Sequence, residues 1–207
     1  MNAGVFDDYA LHRRENRRLS FVEVAQDIIC LPFLSGEMCQ KIVIAADEHG
    51  GYQPYENDLK QNNAPGMEIR LPLISKTLGK MVRRHIQEVV LPVARKFWWP
   101  VNLNDEPRTP FVLKCSTDGQ PGMMLHHDSS VISFSIRLNT GYTGGELWFP
   151  RQRWTNRNVP VGSVVIFPGS ITHVHGVRDV VSGRRYGITG WVGRPKDDFD
   201  LLIDSLK

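Results

Sequence analysis

Residues 123–139 read MMLHHDSSVISFSIRLN and place three possible metal ligands beside a strand-like pattern. Apolar and polar residues alternate through positions 132–138, which predicts a strand with one buried face. If the strand already begins at His126, alternation puts His126 and Asp128 on one face and His127 on the other. An imidazole and a carboxylate on one face supply two ligands, so a metal site needs a third ligand from elsewhere in the chain.

A second histidine-rich stretch can supply that third ligand. Residues 167–192 read FPGSITHVHGVRDVVSGRRYGITGWV, and a strand after the Pro168-Gly169 turn would carry His173 and His175 on one face. Two histidines and one carboxylate form the facial triad of non-haem Fe(II) oxygenases, which leaves coordination positions open. Those positions can take a bidentate 2-oxoacid and dioxygen. Alternation alone leaves both histidines as candidates.

Arginine suits the distal carboxylate of a 2-oxoacid, because its planar fork pairs with two oxygens and stays charged. Arg185 follows His175 by ten residues and lies on the strand predicted after a Val-Ser-Gly turn. Ser135 and Arg137 share a face of their strand, so Arg137 faces the cosubstrate cavity if Ser135 does. The alternative for Arg137 is a surface position at the end of the strand.

The chain beyond Pro110 is rich in short apolar or alternating segments, most of them separated by glycine, proline, asparagine or aspartate. Many short strands with turns between them predict a β-sandwich or jelly roll, with helices on the outside of one sheet. The predicted strands are FVLKCS (111–116), VISFSIRLN (131–139), GELWFP (145–150), GSVVIFP (162–168) and RYGITGWV (185–192).

The part of the chain before Pro110 is predicted to be largely helical. Ser35 can cap a helix that ends at Gly50-Gly51, and a second helix runs from about 75 to 97 with a kink or restart at Pro92. We expect an N-terminal arm (1–24) followed by a single domain (25–207), which comprises a helical front (35–98), a jelly-roll core (110–193) and a C-terminal tail (194–207).

Bulk composition is that of an ordinary globular protein. The chain has 207 residues, 41% of them hydrophobic, and a formal net charge of +3, which gives little support to a nucleic-acid partner. The basic run at 13–18 is most simply a solvated arm. Three cysteines without a CxxC pair fit a reducing compartment. Neither a secretory signal nor a bilayer-spanning run is visible, so we expect a cytoplasmic protein with no membrane association.

Together these motifs resemble the Fe(II)/2-oxoglutarate dioxygenases of the prolyl and lysyl hydroxylase group. The resemblance is nearest to the C-terminal catalytic domain of the procollagen lysyl hydroxylases and covers roughly residues 25–193. It implies a mainly β fold, a double-stranded β-helix or cupin-like jelly roll, with flanking α-helices. The stretches that carry it are HHDSS, RLN, GGELWF, PGSITHVHG, GRRYG, NAPGMEIRLPLI and LPVARKFWWP.

The resemblance implies roles for individual residues. His126 and Asp128 correspond to the first two iron ligands of the family, and His175 rather than His173 corresponds to the third. Arg185 corresponds to the arginine that binds the far carboxylate of 2-oxoglutarate.

Two positions depart from the lysyl hydroxylase pattern. Cys115 stands where that family has a tyrosine near the cosubstrate, and Ser135 stands where an asparagine is expected. Both residues could still contact 2-oxoglutarate, but more weakly. The departures therefore bear more on the substrate than on the reaction.

The implied activity is hydroxylation of an amino-acid side chain at Fe(II), with 2-oxoglutarate and O2 as cosubstrates and ascorbate as reductant. Lysine is the favoured target and proline the second, in a peptide or as the free amino acid. One alternative is an oxidative demethylase of nucleic acid, although residues 51–68 offer a base-flipping lid only Tyr52, Tyr55 and Lys60. The other is a non-catalytic jelly-roll binding module, against which the complete ligand set argues.

Overall fold

A computed structural model describes residues 20–54, 67–98 and 107–193. The predicted C-terminal tail, residues 1–19 of the predicted arm and the basic run at 13–18 lie outside the described residues. Strand β1 begins at Val22, which falls within the segment predicted as an arm. No helical segment in the described part of the chain combines enough length and apolar character to traverse a bilayer.

Strands are the most common element of the described structure. The predicted strands at 111–116, 131–139, 145–150, 162–168 and 185–192 are confirmed as β5, β7, β9, β11 and β14. In chain order the strands are β1 (Val22–Ala25), β2 (Ile28–Pro32), β3 (Gln53–Pro54), β4 (Met67–Arg70), β5 (Phe111–Ser116), β6 (Met123–His126), β7 (Ile132–Arg137), β8 (Thr143–Gly144), β9 (Leu147–Phe149), β10 (Trp154–Thr155), β11 (Ser163–Pro168), β12 (His175–Val177), β13 (Val180–Ser182) and β14 (Arg184–Val192).

The strands build two main antiparallel sheets. The major sheet has the order β1-β2-β11-β7-β14-β5-β4-β3, and the minor sheet has the order β10-β9-β12-β6. From β5 onward the chain passes repeatedly between the two sheets, which is the connectivity of a jelly roll. Strands β8 and β13 pair with each other as a small third sheet. The predicted mainly β jelly roll with flanking helices is confirmed.

The helices cover the outer face of the major sheet. They are α1 (Gly36–His49), α2 (Leu71–Ile74), α3 (Lys76–His85) and α4 (Leu91–Phe97), with a π-helical segment at Ile86–Val90 and 3-10 turns at Asn156–Asn158 and Ile171–His173. Ser35 caps α1, because its Oγ accepts a hydrogen bond from the Met38 amide at 3.1 Å. Pro92 lies in the first turn of α4, where its missing amide hydrogen costs little.

Two hydrophobic clusters define the layers. One lies between the major sheet and the helices and includes Ile42, Val82, Phe134 and Ile188. The other lies between the two sheets. It contains Ile28, Phe111, Leu113, Cys115, Leu147, Phe149, Val159, Val165, Phe167, Val177, Val180 and Trp191. The candidate site residues project into this second interior, between the sheets.

Candidate metal centre and cosubstrate site

Three predicted ligands meet in the interior between the sheets. His126, Asp128 and His175 each offer one ligand atom, and these atoms all lie within 4.8 Å of one another. His126 Nε2 lies 3.7 Å from Asp128 Oδ1, and His175 Nε2 lies 3.6 Å from Asp128 Oδ2. One ion could touch all three groups. No other group of three such ligands occurs among the described residues.

Each histidine ring is held by a backbone carbonyl. His126 Nδ1 donates to Met124 O and His175 Nδ1 donates to His173 O, both at 2.8 Å. A carbonyl oxygen only accepts, so Nδ1 carries the proton in each ring and Nε2 keeps its lone pair for a metal. The backbone therefore selects the tautomer that a two-histidine metal site requires.

A β-bulge places His126. Strand β6 pairs with β12 at His126↔His175 and Met123↔Val177, so β6 has one more residue than β12 between these pairs. A bulge of this kind changes the direction of a strand and is common beside active sites. Here it also brings the Met124 carbonyl next to the His126 ring.

Asp128 is oriented by a short chain of hydroxyl groups. Ser133 Oγ donates to Asp128 Oδ2 at 2.5 Å, and Ser130 Oγ lies 2.8 Å from Ser133 Oγ. Gly169 makes room for this chain, because a side-chain Cβ there would lie only 2.1 Å from Ser130 Oγ. The hydrogen bond from Ser133 thus holds the carboxylate in a position where its oxygens face the two histidines.

Replacing Ser133 with alanine should weaken metal binding by about 10- to 100-fold, since the residues that orient metal ligands typically carry effects of this size. The metal dissociation constant, measured by titration calorimetry with Fe(II) under anaerobic conditions, would show the change. The matched control is Ser135→Ala on the same strand face, which should leave metal affinity unchanged. Equal losses in both variants would contradict the assignment.

Aromatic rings enclose His175. Phe149 stacks on it with ring centroids 5.3 Å apart, and Phe167 meets it edge-on at 4.8 Å. Burial lowers the pKa of His175, although the Asp128 carboxylate opposes this shift. The ring therefore stays neutral at physiological pH, which is the form that binds metals.

The other two candidate histidines lie outside the ligand cluster. His173 was expected on a strand, on the same face as His175, but it ends a 3-10 turn and its Nε2 contacts Gln26 O at 3.3 Å. The alternation argument for His173 is therefore wrong. His127 is exposed, and its Nδ1 has a 3.4 Å contact with the Asp128 carbonyl oxygen.

The predicted strand start at His126 is also wrong. Strand β6 ends at His126, and Asp128 lies in the connection to β7. The chain leaves the minor sheet at this point and crosses to the major sheet, so it cannot continue as one strand. His126 and Asp128 are brought together by this crossing and not by strand alternation.

Arg185 lies in the interior with unsatisfied donors. The residue is 3% exposed, and its Nε and Nη1 have no hydrogen-bond partner within the described residues. A Cβ added at Gly187 would lie 3.6 Å from both Nη1 and Nη2, so the guanidinium extends over this bare glycine. A buried cation with free donors is costly unless an anion completes it. The arrangement fits a carboxylate ligand.

Cys115 and Ser135 lie on the same sheet face as Arg185. Cys115 pairs directly with Arg185 across β5 and β14. Burial raises the pKa of the Cys115 thiol, and its contact with the Arg185 guanidinium opposes this shift. Ser135 pairs with Val165 and Thr189, and Val165 belongs to the interior cluster, so Ser135 faces the interior as well.

The predicted cosubstrate role of Arg137 does not fit its contacts. Its Nη1 donates to Arg157 O and Val159 O, each at 2.8 Å, and its Nε donates to Asn139 O at 3.2 Å. The guanidinium also lies 5.5 Å from the centre of the Tyr142 ring. Because Arg137 is at the end of β7, its side chain reaches the loop after β10 and is occupied there.

Replacing Arg137 with alanine should therefore lower the free energy of unfolding by about 1–3 kcal/mol, since several carbonyls lose a charged donor. The affinity for 2-oxoglutarate should not change. Chemical denaturation and cosubstrate titration measure the two effects separately. Arg184→Ala, which removes an ion pair to Asp118 that is exposed on both sides, should leave the free energy of unfolding nearly unchanged.

Sequence reasoning missed several residues that shape the site. Ser133 lies two residues before Ser135 on β7, and its contact with Asp128 was not predicted. Thr189 and Trp191 line the same interior face of β14, opposite Ser135 and Ser133. Both residues follow Arg185 by an even number of positions. Strand alternation from Arg185 would therefore have predicted that they face the interior.

Comparison with known families agrees with this geometry. Residues 112–193, which include all three ligands and Arg185, match the family described as the 2OG-Fe(II) oxygenase superfamily. These residues form a 2OG-Fe(II) oxygenase domain. The cofactor of this domain is Fe(II), with 2-oxoglutarate and O2 as cosubstrates. The donor set of the oxygenase domain fits that cofactor, because two imidazoles and one carboxylate lie together beside a buried, incompletely bonded arginine.

Curated relatives of the oxygenase domain are much longer proteins. Procollagen-lysine,2-oxoglutarate 5-dioxygenase 1 of Mus musculus is 25% identical over 168 residues, which cover 77% of this chain and 23% of the relative. The procollagen-lysine,2-oxoglutarate 5-dioxygenase of Drosophila melanogaster is 23% identical over 192 residues, which cover 88% of this chain and 26% of the relative. The matched region thus spans about a quarter of the length of these relatives.

Solved structures share the fold. A Pseudomonas putida prolyl-4-hydroxylase aligns with a TM-score of 0.54 and 16% identity, over 82% of this chain and 94% of that one. A prolyl hydroxylase from Trichoplax adhaerens, solved with a peptide fragment of the hypoxia inducible factor oxygen degradation domain, aligns with a TM-score of 0.59 and 14% identity, over 86% of each chain. A viral collagen prolyl hydroxylase from Paramecium Bursaria Chlorella virus-1, solved as a 2OG complex, has a TM-score of 0.57 and 15% identity, over 84% of this chain and 100% of that one.

Proposed function

We propose that the oxygenase domain hydroxylates an amino-acid side chain, with lysine as the first candidate and proline as the second, in a peptide or as the free amino acid. The observation that carries the proposal is the cluster of His126, Asp128 and His175 in the same interior as the incompletely bonded Arg185. The names of the relatives support lysine, and the structural neighbours are prolyl hydroxylases.

The residues of this chain divide the work of such a reaction. His126 and His175 would hold the metal through Nε2 and Asp128 through its carboxylate, while Arg185 would bind the distal carboxylate of 2-oxoglutarate. When bound, Fe(II) would couple the reduction of O2 to the decarboxylation of 2-oxoglutarate, which takes up one oxygen atom, so that the other oxygen atom is inserted into a carbon–hydrogen bond. The protein contributes position and shielding, since Phe149 and Phe167 exclude water from one side of the metal site.

The composition of the two ligand-bearing segments favours an amino-acid substrate over nucleic acid. In the two segments that carry the ligands, 119–136 and 167–177, the only Asp, Glu, Lys or Arg residue is the ligand Asp128. Nucleic-acid binding relies on arginine and lysine contacts to phosphates. These segments offer no such contact, so we rank the oxidative demethylase second.

A substrate panel tests the proposal. Fe(II), 2-oxoglutarate and ascorbate would be incubated with lysine- and proline-containing peptides, free amino acids and methylated oligonucleotides. Mass spectrometry should show a gain of one oxygen, about 16 Da, on a lysine or proline substrate only when 2-oxoglutarate is present. Consumption of a methylated oligonucleotide alone, with release of formaldehyde, would replace the amino-acid function with the demethylase.

A further inference from the structure

Exposed apolar side chains concentrate in the segments of the chain that carry the proposed metal ligands. Eight large hydrophobic side chains are exposed in the described residues, and four of them lie within four residues of a proposed ligand. We call these four the apolar rim: Met124, Leu125, Val131 and Ile171. Each of the three ligands has at least one rim residue within four positions of it in the chain.

The bulge in β6 exposes two rim residues. Met124 and Leu125 are 65% and 46% exposed, and the residue of β12 that opposes the bulge is Gly176, which has no side chain to cover them. Strand β6 is the last strand of the minor sheet in the described structure. The two side chains therefore lie at the edge of the sheet that supplies His126.

A backbone hydrogen bond brings together the segments that carry the other two rim residues, Val131 and Ile171. The Gly169 amide donates to the Val131 carbonyl at 3.0 Å, and Ile171 follows Gly169 by two residues. Val131 is 38% exposed and Ile171 is 70% exposed. Rim residues thus flank the ligand set on both the β6 side and the side where β11 leads into the 3-10 turn.

We propose that the apolar rim binds apolar side chains that flank the target residue of an extended peptide substrate; this inference rests on the function proposed above. A target side chain must approach His126, Asp128 and His175 to react. An extended peptide rises about 3.3 Å per residue, so neighbours two or three positions away lie roughly 7–10 Å from the target. Such neighbours pass over the segments that carry the rim.

The absence of charge on these segments points to the same partner. Acidic or basic flanking residues would lose hydration against the rim side chains, which offer no ion pair in return. Apolar flanking residues would instead gain from the burial of surface on both sides. The rim therefore selects peptides by the residues around the target and leaves selection of the target itself to the interior.

The experiment uses paired peptides and paired variants. Each lysine or proline peptide would be made with leucines on both sides of the target and, separately, with serines. The Michaelis constant of the wild-type enzyme should be about tenfold lower for the leucine version. In the double variant Leu125→Ser, Ile171→Ser this preference should fall to about twofold or less, while kcat and the Michaelis constant for 2-oxoglutarate stay unchanged.

Ile44→Ser is the matched control, because Ile44 is 48% exposed on α1, on the opposite side of the major sheet. This variant should keep the full preference for leucine. If wild type and rim variant hydroxylate both peptide versions equally well, the rim inference is overturned and the proposed function stands. If no peptide is hydroxylated and another substrate class is turned over, both the inference and the proposed function fail.

Discussion

Replacing His175 with alanine should abolish turnover and weaken Fe(II) binding by at least about 100-fold. The change removes one of three ligand atoms from a set that lies within 4.8 Å. Even residues that only orient a ligand commonly carry 10- to 100-fold effects, so loss of the ligand itself should exceed that range. Anaerobic titration calorimetry measures the affinity, and thermal unfolding of the metal-free protein shows whether the fold is retained.

His173→Ala is the control for this experiment, since it removes the same type of side chain two residues away. His173 is buried and packs near Phe149, so its loss should destabilise the protein by about 1–3 kcal/mol. Metal affinity should remain within about threefold of wild type, because the His173 carbonyl that accepts from His175 belongs to the backbone. Retained affinity in His175→Ala together with lost affinity in His173→Ala would reverse the choice of third ligand.

Local sequence patterns predicted the strands and helices that are marked by residues close together in the chain. Alternation identified β7 and β14, and Ser35 with Gly50 marked the two ends of α1. These signals depend on residues that are neighbours in the chain, so a single sequence contains them. Strand β4 at Met67–Arg70 was not predicted, because four residues are too few to show a period.

The details of the site depend on long-range pairing and were largely hidden. The sequence itself showed the order of His126, Asp128, His175 and Arg185. The structure brings the first three of these residues together. The bulge in β6 was not predictable, because it is defined only against β12, about fifty residues later. The same holds for Arg137, whose partners lie in the loop around Val159.

Arg185→Lys should raise the dissociation constant for 2-oxoglutarate at least tenfold, about 1.4 kcal/mol, with little effect on metal binding. Lysine keeps the positive charge but loses the planar fork that pairs with both oxygens of a carboxylate. Its ammonium group would also have to be satisfied in the same buried position beside Cys115. Titration of 2-oxoglutarate into the metal-loaded protein measures the change directly.

The neighbouring arginine provides a matched control for this prediction. Arg184 lies on the opposite face of β14, where its side chain is 54% exposed and pairs with Asp118 at 3.1 Å. Arg184→Lys should leave cosubstrate affinity unchanged, since the residue does not face the interior. An unchanged affinity in Arg185→Lys, with a tenfold loss in Arg137→Lys, would move the carboxylate site to Arg137. A tenfold loss confined to Arg185→Lys would show that the fork of this one buried arginine, and not positive charge near the jelly-roll interior in general, selects the distal carboxylate.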